Sequence, residues 1–180
     1  LAPDHVVHLG GVGIADGRWS ETQKERIVSS RVDSTRSIVR TIAQLERPPK
    51  TLLCASAIGI YGDRGREELT EESAPGKGFL AETCLAWEAA AAEVESSGVR
   101  RVSLRFGVVL SREGGALAKM LPVFRLGGGG RIGSGEQFMS VVSLADAVRA
   151  TAFLLEREDL SGAFDVTCPA PLTNADFTRA

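Results

Sequence analysis

Four short apolar runs, each separated from the next by a stretch with helical spacing, constrain this chain more than any other feature. "HVVHL" at 5–9, "TLLCAS" at 51–56, "RRVSLRF" at 100–106 and "GAFDVTC" at 162–168 read as buried strands. "FMSVVS" at 138–143 reads as a further short strand. Between them the apolar positions step by three and four. Val28, Val32, Thr35, Val39 and Ile42 form one stripe, on a helix opened by Ser20 with Gln23 as a capping box, running to about Glu46 and stopped by "RPP" at 47–49. Leu80, Cys84, Trp87, Ala91 and Val94 form a second, from Phe79 to about Ser97, with Gly98 as the stop. Residues 116–126 predict a helix broken or bent near Pro122. Ser143 with Asp146 caps a helix through about Arg157, and Thr173 with Asp176 caps one that runs off the end. Strands alternating with helices imply an α/β domain with a mostly parallel sheet flanked by helices.

A chain of 180 residues can bury one substantial core. A net charge of −2 gives no electrostatic footing for nucleic acid or an anionic membrane. No apolar run is long enough to span a bilayer and no charged segment followed by an apolar one appears at the start, so a cytoplasmic location without a membrane partner is expected. The three cysteines, Cys54, Cys84 and Cys168, are far apart and read as buried reduced thiols. His5 and His8, three apart on a strand, point to opposite faces, and no metal site is expected. The acidic group Glu67, Glu68, Glu71 and Glu72 reads as a solvated loop face. The chain enters a strand almost at once and starts a helix as it ends, so an internal piece of a longer protein is expected.

"GGGRIG", Gly128 to Gly133, matches G-x-G-x-x-G in letters only. The dinucleotide fingerprint needs a strand before it and a helix after it, whose first amides meet the pyrophosphate. Here a helix precedes and "SGEQF" follows, so a glycine-rich loop over a substrate is the better reading. The phosphate-binding fingerprint is expected before Leu1.

Seven blocks occur in order: "HVVHLGGVGIADGRW", "SRVDSTR", "CASAIGIYGDRG", "EELTEESAPGKGFLAETCLAWEAAA", "LRFGVVLSREGGALAKMLPVFRLGGGG", "IGSGEQF" and "NADF". Together they closely resemble the atypical extended short-chain dehydrogenase/reductases, the NAD-dependent epimerase/dehydratase-like or sugar nucleotide epimerase-related proteins. The resemblance covers residues 4–178. It implies a Rossmann-like fold lacking, in this stretch, its first βαβ half. Residues 1–112 would be the second half of the NAD(P)-binding core, and 113–180 part of a small substrate-binding region with returning sheet elements. It implies NAD or NADP as cofactor of the full-length protein, with weak or no binding by this piece. It also places Leu9, Gly10, Gly11 and Ala55 close to the cofactor, with Arg105 and Gly107 flanking the nicotinamide.

Proton exchange in that superfamily uses a tyrosine whose pKa is lowered by a lysine four residues later. A phenol near pKa 10 needs a shift of about three units, roughly 4 kcal/mol, to work at neutral pH, and a fixed cation is the usual source. The only tyrosine here is Tyr61, followed four positions on by Gly65. Where the pair should open a helix the chain reads "FLAET", with Phe79 for tyrosine and Thr83 for lysine. Three roles stay open for Tyr61: acid/base, substrate contact or turn packing. Ser56 is the candidate to orient a substrate oxygen. Aligned without gaps on Tyr61-Gly62, however, the family's serine falls on Ala57, and Ser56 takes the role only if the strand end bulges by one residue. Arg18, Trp19 and Phe79 are candidate substrate contacts; Trp19 reads equally as a staple for the helix after it. The expected activity is an NAD(P)-binding, epimerase/dehydratase-like oxidoreduction of a hydroxylated or nucleotide-sugar-like small molecule. The alternative is a non-catalytic dinucleotide-binding or protein-interaction module.

Overall fold

Strand β2 (Thr51–Ala57) lies inside a four-stranded parallel sheet of order β1-β2-β3-β7, and its first six residues are all buried. The computed structural model describes residues 2–179. The sheet partners are β1 (His5–His8), β3 (Arg100–Phe106) and β7 (Gly162–Val166). Helices α1 (Glu21–Ala43) and α2 (Phe79–Ala92) cover one face and α4 (Leu144–Glu156) covers the other.

Alternation along the strands sorts the core into these layers. Leu52 packs with Val39, Ile42 and Val94, and Cys54 with Trp87 and Ala91, on the α1/α2 side. Leu53, Val102, Leu104 and Val166 meet Ala147 and Leu154 on the α4 side. Thr35 is fully buried in the α1 stripe because it does polar work there: its Oγ1 accepts the Trp87 indole N–H at 3.0 Å and donates to the Arg31 carbonyl at 2.7 Å. One hydroxyl thus ties α1 to α2 and leaves no buried indole donor unpaired.

Several boundaries differ from the sequence expectation, each for a local reason. β1 is the outermost of the four described strands of this sheet, and Val7 is 43% exposed. In the first stripe Ile27, not Val28, is fully buried. The second helix tightens into a 3-10 segment at Glu93–Ser97 before Gly98 turns left-handed at φ +72°. α3 (Gly115–Arg125) runs through Pro122 as one helix, without the amide that would meet the Ala118 carbonyl. Cys168 is exposed, while burial pushes the Cys54 and Cys84 thiols up to about 11. The last helix, α5 (Asn174–Phe177), is a single turn capped by Thr173.

"FMSVVS" is two strands, not one. β5 (Phe138–Met139) pairs antiparallel with β8 (Leu172–Thr173), while β6 (Val141–Ser143) pairs parallel with β4 (Val108–Leu110). Ser140 is the break between them, and its carbonyl accepts from Val108 N at 2.9 Å. That switch forces the Ser140 carbonyl against Gly107, where an added Cβ would stand 2.6 Å from the oxygen and 3.1 Å from Thr167 Cγ2. Gly107→Ala is therefore expected to lower stability in urea unfolding by about 2–3 kcal/mol. Gly17→Ala, where nothing lies within 4 Å of the added carbon, should change it by under about 0.5 kcal/mol.

Candidate active site at the carboxyl ends of the parallel strands

All four strands of the main sheet are parallel, so their carboxyl ends form one crest, the edge where open α/β sheets bind ligands. Leu9, Gly10 and Gly11 leave β1 there as an exposed ledge, with Leu9 57% accessible. Trp19 and Phe79 meet beside it edge to face, ring centroids 5.4 Å apart, while the Trp19 indole donates to the Ile14 carbonyl at 2.8 Å. Trp19 therefore joins the start of α1 to the start of α2, and Arg18 lies exposed next to it. Thr83, one turn into α2, is 4% accessible and donates to the Phe79 carbonyl at 2.6 Å. Across the crest, Lys119 of α3 reaches Asp16 Oδ1 at 2.9 Å and the Ala15 carbonyl at 3.1 Å.

Just inside the crest a polar row crosses three strands. The register pairs Ser56 with Arg105 and Arg105 with Asp165, which places all three on the α2 face. Glu88 comes down from α2 onto the row. Its carboxylate takes Arg105 Nε at 2.8 Å and Nη2 at 2.9 Å, and accepts the Ser56 hydroxyl at 2.6 Å. Arg105 Nη1 donates to the Tyr61 hydroxyl at 2.9 Å and to the Glu71 carbonyl at 3.2 Å. Tyr61 in turn donates to the two Asp165 oxygens at 2.8 and 2.9 Å. Glu71 closes the circuit by accepting the Asp165 amide at 2.9 Å.

The electrostatics follow from that geometry. Burial, reinforced by Asp165, pushes the Tyr61 phenol well above its ordinary pKa against the pull of Arg105. The Glu88 carboxylate holds Arg105 firmly protonated. Burial also raises the Asp165 carboxyl, against the stabilising Tyr61 hydrogen bond. A neutral phenol between a fixed cation and a carboxylate has its donor and acceptor sites engaged, so it is a structural bridge.

The structure thus gathers Ser56, Tyr61 and Arg105 into one network and Trp19 with Phe79 into another. β2 keeps unbroken register through Ala57, with no bulge, so Ser56 points to Glu88 and is 3% accessible. All three Arg105 guanidinium nitrogens are engaged inside the protein. Gly107 serves the approach of Ser140, and Ala55 is buried within β2. Glu71 is not merely solvated. The sequence reading missed Glu88 and Asp165. The available signal was an acid one turn after Cys84 on the buried stripe of α2, and another inside a short apolar strand.

Residues 1–166 match the model of the NAD dependent epimerase/dehydratase family. The chain belongs to that family. It is 45% identical over 177 residues to the epimerase family protein Mb2239 of Mycobacterium bovis, covering 98% of this chain and 58% of that one. It is 39% identical to the epimerase family protein YfhF of Bacillus subtilis, again covering 98% of this chain and 58% of the relative. The chain therefore spans a little under three fifths of these relatives. Among solved structures, human epimerase family protein SDR39U1 (isoform 2) with NADPH superposes with a TM-score of 0.93 at 34% identity, covering 98% of this chain and 60% of that one. The nucleoside-diphosphate sugar epimerase from Corynebacterium glutamicum superposes with a TM-score of 0.82 at 37% identity, covering 98% and 37%. The parallel sheet with helices on both faces is the Rossmann-like fold of these epimerase-family structures.

Within this family member, Glu88→Ala strands the Arg105 charge at a position where its side chain is only 10% accessible. Urea unfolding should show a loss of about 3–5 kcal/mol, well beyond the effect of replacing an exposed acid such as Glu136.

Proposed function

We propose that the full-length protein binds a nicotinamide dinucleotide, NAD or NADP, across the crest. It acts there on a hydroxylated small molecule of the nucleotide-sugar kind, without a tyrosine–lysine pair. The observation that carries this reading is the exposed Leu9–Gly11 ledge at the carboxyl ends of four parallel strands, flanked by the Trp19–Phe79 pair. The fold of a relative described with NADPH supports it. When bound, the nicotinamide would accept or return a hydride. The chain's own contribution is then positional: the ledge lets a ligand approach the backbone, and Trp19 and Phe79 offer apolar walls. Lys119 of α3 links to Asp16 of the 9–20 loop through an exposed ion pair.

Neither Ser56 nor Tyr61 handles the transferred proton in this proposal, because both hydroxyls are committed to internal acceptors. That proton goes instead to water at the crest or to a group on the ligand. The second reading, a dinucleotide-binding module without turnover, draws support from the same commitment of Tyr61 and from Thr83 standing inert on α2.

Fluorescence titration of the full-length protein with NADPH and NADH, followed by turnover on a panel of alcohols and nucleotide sugars, separates the readings. Saturable binding with turnover is expected, and Tyr61→Phe should leave kcat within about threefold once folding is verified. A fall of about 100-fold or more with cofactor affinity unchanged would make Tyr61 the acid–base group after all. Tight cofactor binding with no turnover across the panel would favour the binding module. The 180-residue chain alone should bind neither cofactor at micromolar concentration.

A further inference from the structure

The geometry points to Arg31 as the receptor for a phosphate group of a ligand bound beside the Leu9–Gly11 ledge. This rests on the ligand-binding role of the crest proposed above, and it names a residue and a ligand chemistry for it.

Arg31 leaves α1 beneath the ledge. A Cβ built on Gly11 would stand 3.1 Å from Arg31 Cζ and 3.2 Å from Nη1, so the loop runs directly over the guanidinium. The next residue, Val12, donates its amide to Ser30 Oγ at 3.1 Å, which holds the loop to the same turn of α1. On its other side the guanidinium lies over the Trp87 ring, 5.2 Å from the centroid. Arg31 is thus clamped between backbone and an aromatic face, a rigid placement for a planar fork.

Its hydrogen bonds are incomplete. Nη1 donates to the Ile27 carbonyl at 3.1 Å and contacts Ser30 Oγ at 3.4 Å, while Nε and Nη2 have no partner among the described residues. No carboxylate among them lies within salt-bridge distance. The ionisable neighbour is the Cys84 thiol, which burial keeps neutral. Other arginines withdrawn from solvent are satisfied. Arg105 is held by Glu88 and Tyr61, and Arg100 by Thr51 and the carbonyls of Leu154, Leu155, Arg157 and Leu160. Burial draws the Arg31 pKa down, as it must where a partly buried cation lacks a counter-charge.

A half-buried guanidinium with two free donor nitrogens, held still beside the crest, is a preorganised seat for an oxyanion. Both ligands proposed for the crest, the dinucleotide and a nucleotide-sugar-like substrate, carry phosphate. The structural alternative is that Arg31 serves only through its stem, packed on Trp87.

Arg31→Met keeps that stem and removes the charge. With the full-length protein, calorimetric titration of NADPH, and of inorganic phosphate with and without saturating NADPH, should show a loss of about tenfold or more in the variant. Arg31→Lys should recover part of it, and thermal unfolding verifies that the fold is kept; Arg31→Gln replaces Arg31→Met if the latter does not fold. Loss of NADPH affinity assigns the phosphate to the dinucleotide. Unchanged NADPH affinity with lost phosphate binding to the NADPH-saturated protein assigns it to the second ligand. Arg31-dependent phosphate binding by a protein that binds neither NADPH nor NADH would sink the proposed function and keep this site. Variant and wild type agreeing within about twofold for both probes, or wild type binding no phosphate while NADPH affinity is unchanged in the variant, overturns the inference.

Discussion

The bidentate bond between Arg105 and Glu88 is the interaction on which the functional end of the sheet depends. It joins the middle of the sheet to α2, and both side chains are at most 15% accessible. An ion pair this deep survives only when the remaining donors and acceptors are met, since desolvating two charges costs several kcal/mol each. Ser56, Tyr61 and the Glu71 carbonyl meet them. The result couples β2, β3 and β7 to α2 and to the 63–78 loop at one level, just inside the crest. Tyr61 carries the coupling on to Asp165, and Glu71 brings it back to the backbone of β7.

That arrangement shapes the chemistry available above it. A tyrosine works as an acid or base when a cation lowers its pKa and its oxygen faces the ligand. Here the cation is present but already neutralised by Glu88, and the phenol oxygen faces Asp165. The crest itself presents a glycine ledge, two aromatic rings and, beneath the ledge, Arg31. These groups are suited to holding a ligand in place.

The framework was legible in the sequence because it rests on periodicity, which is local. The β2 and β3 runs, the Ser20, Ser143 and Thr173 caps and the Gly98 stop all stand where spacing places them. What was not legible depends on partners far away in the chain. "FMSVVS" has one pattern but two partners, β4 and β8, and no local signal marks Ser140 as the switch. The surroundings of the candidate site residues were hidden for the same reason. The sequence named Ser56 and Arg105 as candidate contacts and left three roles open for Tyr61, but the partners they find, Glu88 and Asp165, stand 32 and 104 residues away from Ser56 and Tyr61 respectively. Thr35 counted as a stripe position, and only the structure shows that it is there for the Trp87 indole.

The central claim, that the Tyr61 phenol is a buried neutral bridge, can be read directly because the chain contains one tyrosine. Absorbance at about 295 nm, followed during alkaline titration of the 180-residue chain alongside circular dichroism, reports phenolate formation and folding together. In the unfolded chain the phenol ionises near its ordinary value of about 10. With the folded-state pKa raised, the stability Tyr61 contributes is intact below that pH and is lost as pH climbs above it. The account predicts no native phenolate below about pH 10, and phenolate appearing only as the circular dichroism signal collapses. A reversible phenolate signal with a midpoint below about pH 9 in the folded chain would contradict it.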